Sequence, residues 1–237
     1  MVKGCGAKRL LVILVGALSV GLVAGTASAE RVVLAAKGQA VATIVIPAQA
    51  NEKEKLAAEE LRHYVKAICG VELPLQADGK QVAGTGLYIG KCEPTEEGDL
   101  PPATLNPETY AIRVRAGNVY FTGRYPTPTY FAVVSFLEDS LGVRWFAPGE
   151  TWEYVPAGRP GELAAVVNEV VKVPDTSPRC WSGHAWTEEW QRWNLRNKTV
   201  LSEVVPRRQF QNFDFGQRGP NHPLEVAIHL GGILDHS

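Results

Sequence analysis

Tryptophan is the residue type whose spacing points most directly to chemistry in this sequence. Trp186, Trp190 and Trp193 recur at i, i+4 and i+7, so they share one face of a predicted helix, and Trp181 stands just before it. Flat indole rings stack on the apolar faces of pyranose sugars, and a carbohydrate-binding platform is one interpretation. The alternative is that this face packs against the rest of the protein. We favour packing, because tryptophans at core spacing are usually buried.

Acidic residues do not form a recognisable catalytic pair. Cleavage of a glycosidic bond needs two carboxyl groups about 5 to 10 Å apart across a sugar-sized cleft. Glu188 and Glu189 are neighbours on one predicted helix and point in different directions. The acidic run at residues 93–99 is typical of a solvated loop. The sequence therefore predicts no catalytic residue in this chain.

The histidines and glycines give no metal-binding or cofactor-binding motif. HExxH, CxxC, GxGxxG and a P-loop are all missing from the sequence. The closing Asp235-His236-Ser237 has the residue types of a hydrolase triad, but such triads are assembled from distant segments. We predict neither a metal nor a cofactor.

The N-terminal residues have the pattern of an export signal. Lys3, Lys8 and Arg9 precede an apolar stretch at residues 10–23, and Ala27-Ser28-Ala29 fits a small-residue cleavage site. We predict a signal peptide at residues 1–29 and a secreted or periplasmic protein with no membrane attachment after cleavage. The alternative is an uncleaved anchor helix, but the run is shorter than the ~20 residues that a bilayer span requires.

After removal of the signal peptide the chain is acidic and keeps three cysteines. The whole sequence has 24 Lys and Arg against 25 Asp and Glu, and loss of the signal removes three positive charges, which leaves 21 against 25. A chain of net charge −4 has no basic face for nucleic acid. Cys69, Cys92 and Cys180 remain, and for the first two we favour buried free thiols over a disulfide.

The elements that must position these side chains follow from periodicity. Asn51 and Glu54 form a capping pattern for an amphipathic helix that ends at Gly70. Residues 110–124 predict a hairpin with a type II′ turn at Gly117-Asn118, which pairs Val114 with Phe121. Its buried face is predicted to be Tyr110, Ile112, Val114, Val119 and Phe121, and Arg113, Arg115, Tyr120 and Thr122 point the other way. A second, more apolar helix is expected to lie deep against the sheet. Strands are predicted at residues 32–34, 41–46, 87–89, 143–146, 152–155 and 166–173. The order predicts an α+β fold, a mainly antiparallel sheet with two helices packed on one face.

One stretch resembles a known family. Residues 137–150 read Leu-Glu-Asp-Ser-Leu-Gly-Val-Arg-Trp-Phe-Ala-Pro-Gly-Glu and are followed by Val155-Pro156. This pattern resembles the N-terminal domain of α-glucuronidases and related secreted glycoside hydrolases, the α+β module that precedes the barrel in β-N-acetylhexosaminidases. Weaker matches extend the resemblance over nearly the whole of residues 30–174. They are Ala57-Ala58-Glu59-Glu60-Leu61 with Tyr64, residues 70–74, Leu87-Tyr88-Ile89-Gly90 and the hairpin.

The resemblance implies that catalysis takes place in a different domain from this one. In that family the catalytic carboxylates lie in a (β/α)8 barrel after this module, and such a barrel takes about 200 to 250 residues. Only 63 residues follow Pro174 (237 − 174), so we expect residues 30–174 to be the accessory domain and residues 175–237 the start of a truncated barrel-type domain. The implied partner is a polysaccharide or oligosaccharide, bound by the missing catalytic domain.

The entry to that second domain departs from the family pattern. Asp175, Pro178 and Arg179 stand where the family enters its barrel. The hexosaminidase version continues with an aromatic residue and an Arg-Gly pair, whose arginine holds the sugar, but Cys180-Trp181-Ser182-Gly183 replaces that pattern here. No sugar-binding arginine is carried over. The leading hypothesis is an exported, non-catalytic module of a glycoside-hydrolase-like protein. The alternatives are a stand-alone secreted carbohydrate-binding protein that uses residues 181–193, and an envelope protein with an interaction role.

Overall fold

The computed structural model describes Met1 and residues 29–174 and 187–199, and in these ranges it has three α-helices, two short 3₁₀ helices and eleven strands. The predicted signal peptide falls almost entirely outside this part of the chain, as do Trp181, Trp186 and Cys180. The helices are α1 Glu52–Cys69, α2 Pro126–Asp139 and α3 Glu188–Arg196. The strands are β1 Ala29–Ala36, β2 Gln39–Ala40, β3 Ala42–Val45, β4 Leu75–Gln76, β5 Thr85–Ile89, β6 Tyr110–Arg115, β7 Asn118–Gly123, β8 Arg144–Trp145, β9 Glu153–Tyr154, β10 Leu163–Asn168 and β11 Val170–Lys172.

The strands form three sheets. The largest has the order β11-β6-β7-β5-β3-β4, and β10-β1-β2 and β8-β9 form the other two. Five of the eight pairings in the described residues are antiparallel, and the α+β prediction is confirmed. The six-stranded sheet itself is mixed, because β4, β3, β5 and β7 pair in parallel. Parallel neighbours need a crossover connection, and α1 supplies the one between β3 and β4.

Helix α1 begins and ends at the predicted residues. The Asn51 side chain accepts hydrogen bonds from the backbone N–H groups of Lys53 and Glu54 at 3.0 Å, and Glu54 accepts from the Asn51 N–H at 2.9 Å. This reciprocal capping box satisfies N–H groups that have no partner inside the helix. Gly70 ends the helix in the left-handed region, at φ 77°.

Helix α2 lies deep against the main sheet, as its composition predicted. Its ten residues from Pro128 to Leu137 are all buried, and it packs against α1, β6 and β7. The main core joins this helix to the inner side of the sheet. A smaller cluster of Val45, Tyr88, Cys92 and Tyr120 is separate from it.

The β6–β7 hairpin turns one residue earlier than predicted. The turn lies at Ala116-Gly117 instead of Gly117-Asn118, and Val114 consequently pairs with Val119 instead of Phe121. Both turn residues have positive φ, 50° and 76°, as a type I′ turn requires. The pairing has moved by two residues, and because side chains alternate with a period of two, the predicted faces are preserved.

Cys69 and Cys92 are both free and buried, which confirms the prediction for these two residues. The Cys92 thiol lies 3.6 Å from the Val45 carbonyl oxygen, among apolar neighbours. Burial, with a further contribution from the negative charge of Glu54, raises the pKa of Cys92 to about 12. The nucleophilic thiolate is therefore scarce at ordinary pH.

We expect native Cys92 to resist alkylation. At pH 8 its thiolate fraction is about 10³ times smaller than that of an ordinary thiol, and burial also blocks access. Iodoacetamide labelling of the folded chain, mapped by mass spectrometry, should leave Cys92 unmodified, and the same reagent should label it fully after denaturation. Rapid labelling of Cys92 in the native chain would contradict this prediction.

Candidate functional site

Helix α3 is held on the α+β layer by one buried arginine. Arg196 Nη2 donates to Glu60 Oε2 at 2.9 Å, and its Nε lies 3.1 Å from Glu60 Oε1, so the pair is bidentate. Its Nη1 donates to Glu153 Oε1 at 2.5 Å. The side chains of Arg196 and Glu60 are only 10% and 3% exposed. One guanidinium therefore ties α3 to both α1 and β9.

Aromatic side chains surround this ion pair. The Tyr64 hydroxyl donates to Glu153 Oε2 at 2.5 Å and accepts from the Trp145 indole N–H at 2.7 Å. The Trp193 indole N–H donates to the Trp145 carbonyl at 3.0 Å. The Arg196 guanidinium also lies 5.5 Å from the ring centroids of Tyr64 and Trp145. We call Glu60, Tyr64, Trp145, Glu153, Trp193 and Arg196 the α3 clamp.

Burial and hydrogen bonding fix the charge of Arg196 and Tyr64 in the clamp and of the neighbouring Tyr130. Burial alone would lower the pKa of Arg196, but the adjacent Glu60 carboxylate outweighs this effect and leaves the pKa above its ordinary value. Burial, together with the hydrogen bond to Glu153, raises the pKa of Tyr64. Burial also raises the pKa of Tyr130, whose hydroxyl donates to Glu60 at 3.3 Å. The arginine stays cationic and the two phenols stay neutral over the ordinary pH range.

Short-range contacts define both ends of α3. At its start, the Thr187 hydroxyl accepts from the Trp190 backbone N–H at 3.3 Å and caps the helix. At its end, the Asn197 side-chain amide donates to the Trp193 carbonyl at 2.9 Å, and Lys198 forms an ion pair with Glu138. A nine-residue helix is marginal alone, so its position depends on these caps and on the clamp.

A cavity of about 330 Å³ lies beside the clamp, between α1, the β8–β9 connection and α3. Its lining is rich in charge, but Glu60 and Glu153 point their oxygens at Arg196 and Tyr64. The oxygens of these two carboxylates are therefore already hydrogen-bonded within the clamp. In the described residues no group of three His, Cys, Asp or Glu side chains could hold a metal ion. The lining is Leu56, Glu59, Glu60, His63, Ala147, Gly149, Glu150, Glu153, Glu189, Arg192, Trp193 and Arg196.

The predicted tryptophan face is divided between two environments. Trp193 is half-buried in the clamp, whereas Trp190 is 37% exposed and meets the Trp193 ring edge-on at 5.6 Å. Trp181 and Trp186 lie outside the described residues, so the full platform stays a prediction. Glu188 and Glu189 are exposed in the first turn of α3.

Sequence reasoning missed the clamp, although one signal for it was present. Glu60 falls on the apolar face of α1, between Ala57 and Tyr64, where a carboxylate needs a buried partner. Arg196 follows Trp193 by three residues on α3 and so shares its face. Sequence alone does not pair these two residues, because 136 positions separate them.

In residues 29–174 and 187–199, no helix combines the length and apolar character that a bilayer crossing requires.

Comparison with known proteins gives structural neighbours only. No family model matches the chain, and no curated protein matches it. A GH20 β-N-acetylhexosaminidase from Streptomyces coelicolor A3(2) is similar over 65% of this chain and 26% of its own, with 15% identity and a TM-score of 0.40. Streptomyces plicatus N-acetyl-β-hexosaminidase in complex with Thio-NAglucal gives the same coverage and TM-score at 14% identity. At this level of similarity no residue role transfers to this chain.

Proposed function

We propose that this chain is the exported, non-catalytic N-terminal module of a glycoside-hydrolase-like protein. Its role is to hold α3 in a fixed position, so that the polypeptide after α3 starts from a defined place and direction. A polysaccharide or oligosaccharide would be bound by the catalytic domain of the parent protein. Support comes from the sequence resemblance and from the way in which the resembling residues are used.

The observation that carries the proposal is the position of Trp145. This residue belongs to the Leu-Gly-Val-Arg-Trp-Phe stretch, the most specific part of the resemblance. Its indole donates to Tyr64 and its carbonyl accepts from Trp193, so it joins α1 to α3. The stretch therefore fixes a connecting helix instead of presenting a reactive group.

The carboxylates of the clamp support a non-catalytic role. A glycosidase needs one carboxyl group to protonate the leaving oxygen and a second to act as nucleophile or base. Glu60 and Glu153 are instead joined by one arginine and also accept from Tyr130 and Tyr64. Groups held in this way serve to fix α3.

The proposal predicts that the purified chain does not hydrolyse glycosides. Aryl glycosides and glucuronoxylan fragments should be cleaved no faster than in buffer alone. An active glycosidase serves as the positive control and defines the lowest rate that the assay detects. The decisive comparison is with Glu60→Gln and Glu153→Gln. Turnover by the unmodified chain that either substitution abolishes would overturn the proposal.

The exposed Trp190 leaves the carbohydrate-binding alternative open to a direct test. Glycans titrated against tryptophan fluorescence should give little response if the chain is an accessory module. Saturable quenching that is lost in Trp190→Ala and kept in Tyr125→Ala would favour the alternative. Tyr125 is the matched control because its ring is also exposed, at the start of α2.

A further inference from the structure

A second cavity, of about 320 Å³, lies at the carboxyl ends of the parallel strands β5 and β7. Gly90, which follows β5, and Gly123, which ends β7, both line it. The first residues of α2 and Glu54 from the first turn of α1 complete this part of the wall. In open sheets with parallel strands, ligands commonly bind in the crevice beyond these strand ends. The cavity shares no residue with the α3 clamp.

Glu54 presents one carboxylate oxygen to this cavity. The residue is only 9% exposed, and its Oε2 accepts from the Asn51 N–H at 2.9 Å in the capping box. Its Oε1 lies so close to Gly90 that a Cβ on Gly90 would collide with it. No donor in the described residues bonds to Oε1. Because a buried carboxylate oxygen without a donor is costly, Oε1 is an acceptor for a group that enters the cavity.

The pKa of Glu54 agrees with this description. Burial raises the pKa of Glu54 above its ordinary value, although the hydrogen bonds to Asn51 lower it. The capping box therefore returns only part of the solvation that the carboxylate has lost. A hydroxyl that donates to Oε1 would stabilise the charged form further.

The charged groups of the lining balance each other. Arg124 Nη2 donates to Glu97 Oε1 at 2.9 Å, and Arg124 Nε donates to the Pro101 carbonyl at 2.7 Å. Lys91 and Glu54 are the other two charges of the lining, and in the described structure no ion pair joins them. A lysine ammonium only donates and an ionised carboxylate only accepts, whereas a hydroxyl does both. A neutral ligand with several hydroxyls therefore suits this lining better than an anion or a cation does.

An aromatic residue also lines the cavity. Tyr125, at the start of α2, is 54% exposed. The apolar face of a phenol ring can stack on the C–H face of a pyranose, whose hydroxyls then reach the polar groups around it. The volume is at the small end of ligand pockets, which measure about 300 to 1,000 Å³, so a single ring fits better than a longer chain.

We propose that this cavity binds one neutral pyranose ring. One sugar hydroxyl donates to Glu54 Oε1, a second accepts from Lys91, and the Tyr125 ring packs against a face of the sugar. This inference goes beyond the proposed function, because it gives the module a binding site of its own that does not involve the clamp. No described tryptophan lines the cavity, so tryptophan fluorescence does not report on this site.

Amide chemical shifts of the ¹⁵N-labelled full chain test the proposal directly. The probes are D-glucose, D-galactose, D-mannose and D-xylose, each titrated to about 100 mM because a single ring makes few contacts. At least one of them should shift the amides of Gly90, Lys91 and Gly123 in a saturable way. The amide of Gly149, which lines the cavity beside the clamp, should not shift.

Glu54→Gln is the most informative variant. Its amide oxygen can keep the bond from the Asn51 N–H, and its NH₂ group then stands where Oε1 was, so a donor replaces the acceptor while the capping box remains. The sugar should bind about tenfold or more weakly, because a charge-assisted hydrogen bond is lost. The matched control is Glu93→Gln, which removes an exposed carboxylate outside the cavity and should change the affinity by less than about twofold.

Tyr125→Ala tests the same site without touching a helix cap. Tyr125 makes no side-chain capping bond to α2 and its ring is exposed, so the variant should fold normally. Loss of the ring should weaken sugar binding by about threefold or more. Trp190→Ala should leave it unchanged, which separates this site from the tryptophan face of α3.

Three results would overturn the inference. The first is the absence of a saturable shift with any of the four sugars. The second is an affinity in Glu54→Gln or Tyr125→Ala equal to that in Glu93→Gln. The third is inorganic phosphate that binds at the same amides more tightly than every sugar, which would assign the cavity to an anion. None of these results bears on the clamp or on turnover, whereas turnover would remove the proposed function and leave this site.

Discussion

Replacing Arg196 with leucine should release α3 from the α+β layer. Without the guanidinium, docking of α3 would bury the Glu60 carboxylate without its counter-charge, and breaking a buried pair in this way costs about 3 to 5 kcal/mol. In hydrogen-exchange measurements, protection of residues 188–196 should fall by about 10²-fold or more, while α2 remains protected. The effect is local because α2 packs mainly against α1, β6 and β7, and to a smaller extent against α3.

Arg192→Leu is the matched control for this experiment. Arg192 lies on the same helix with its Nε 3.6 Å from Glu60, but its side chain is half exposed. An exposed ion pair contributes about 1 kcal/mol or less, so exchange in α3 should change by less than about tenfold. If Arg196→Leu had no larger effect than Arg192→Leu, the clamp would not hold α3.

Replacing Trp145 with alanine should destabilise the whole module. The ring is buried between α1 and α3, and truncation of a buried tryptophan costs about 3 to 5 kcal/mol through lost contacts and the cavity left behind. For a domain of this size we expect the Tm to fall by about 10 °C, as followed by circular dichroism. Release of α3 should accompany the loss, because the β8 backbone that binds Trp193 is no longer anchored to Tyr64.

Two further variants separate ring packing from the hydrogen bond. Trp145→Phe keeps an aromatic ring but removes the N–H that donates to Tyr64, and should cost about 1 to 2 kcal/mol. Tyr125→Ala removes an exposed ring and should change the unfolding free energy by no more than about 0.5 kcal/mol. Equal losses in Trp145→Ala and Tyr125→Ala would show that Trp145 has no structural role.

Local patterns were sufficient for much of the fold. The capping box at Asn51, the stop at Gly70 and the buried α2 were predicted from neighbouring residues and confirmed. The β6–β7 hairpin was found with the correct faces but the wrong turn. The local residues are compatible with a turn at Ala116-Gly117 and with one at Gly117-Asn118. The pairing of β6 with β7 along its whole length determines which of the two turns forms.

Local sequence patterns could not predict that the main sheet contains both parallel and antiparallel strand pairs. Strand periodicity shows which residues face the core, but it does not say whether a neighbouring strand runs parallel or antiparallel. That choice follows from the connections between the strands: α1 lies between β3 and β4 in the chain, and residues 90–109 followed by β6 lie between β5 and β7. The parallel pairing of β3 with β5 and of β5 with β7 is therefore a property of the assembled layers.

By itself, the sequence determined the α+β class, the amphipathic α1, the buried α2 and the free thiols Cys69 and Cys92, because each depends on residues close together in the chain or on composition. Only the tertiary structure decided the α3 clamp. Glu60, Trp145 and Arg196 come from three separated elements, and no local pattern shows that they meet. The buried Glu60 carboxylate needs an opposite charge beside it. The packing of α3 on α1 and the β8–β9 hairpin supplies that charge, the guanidinium of Arg196.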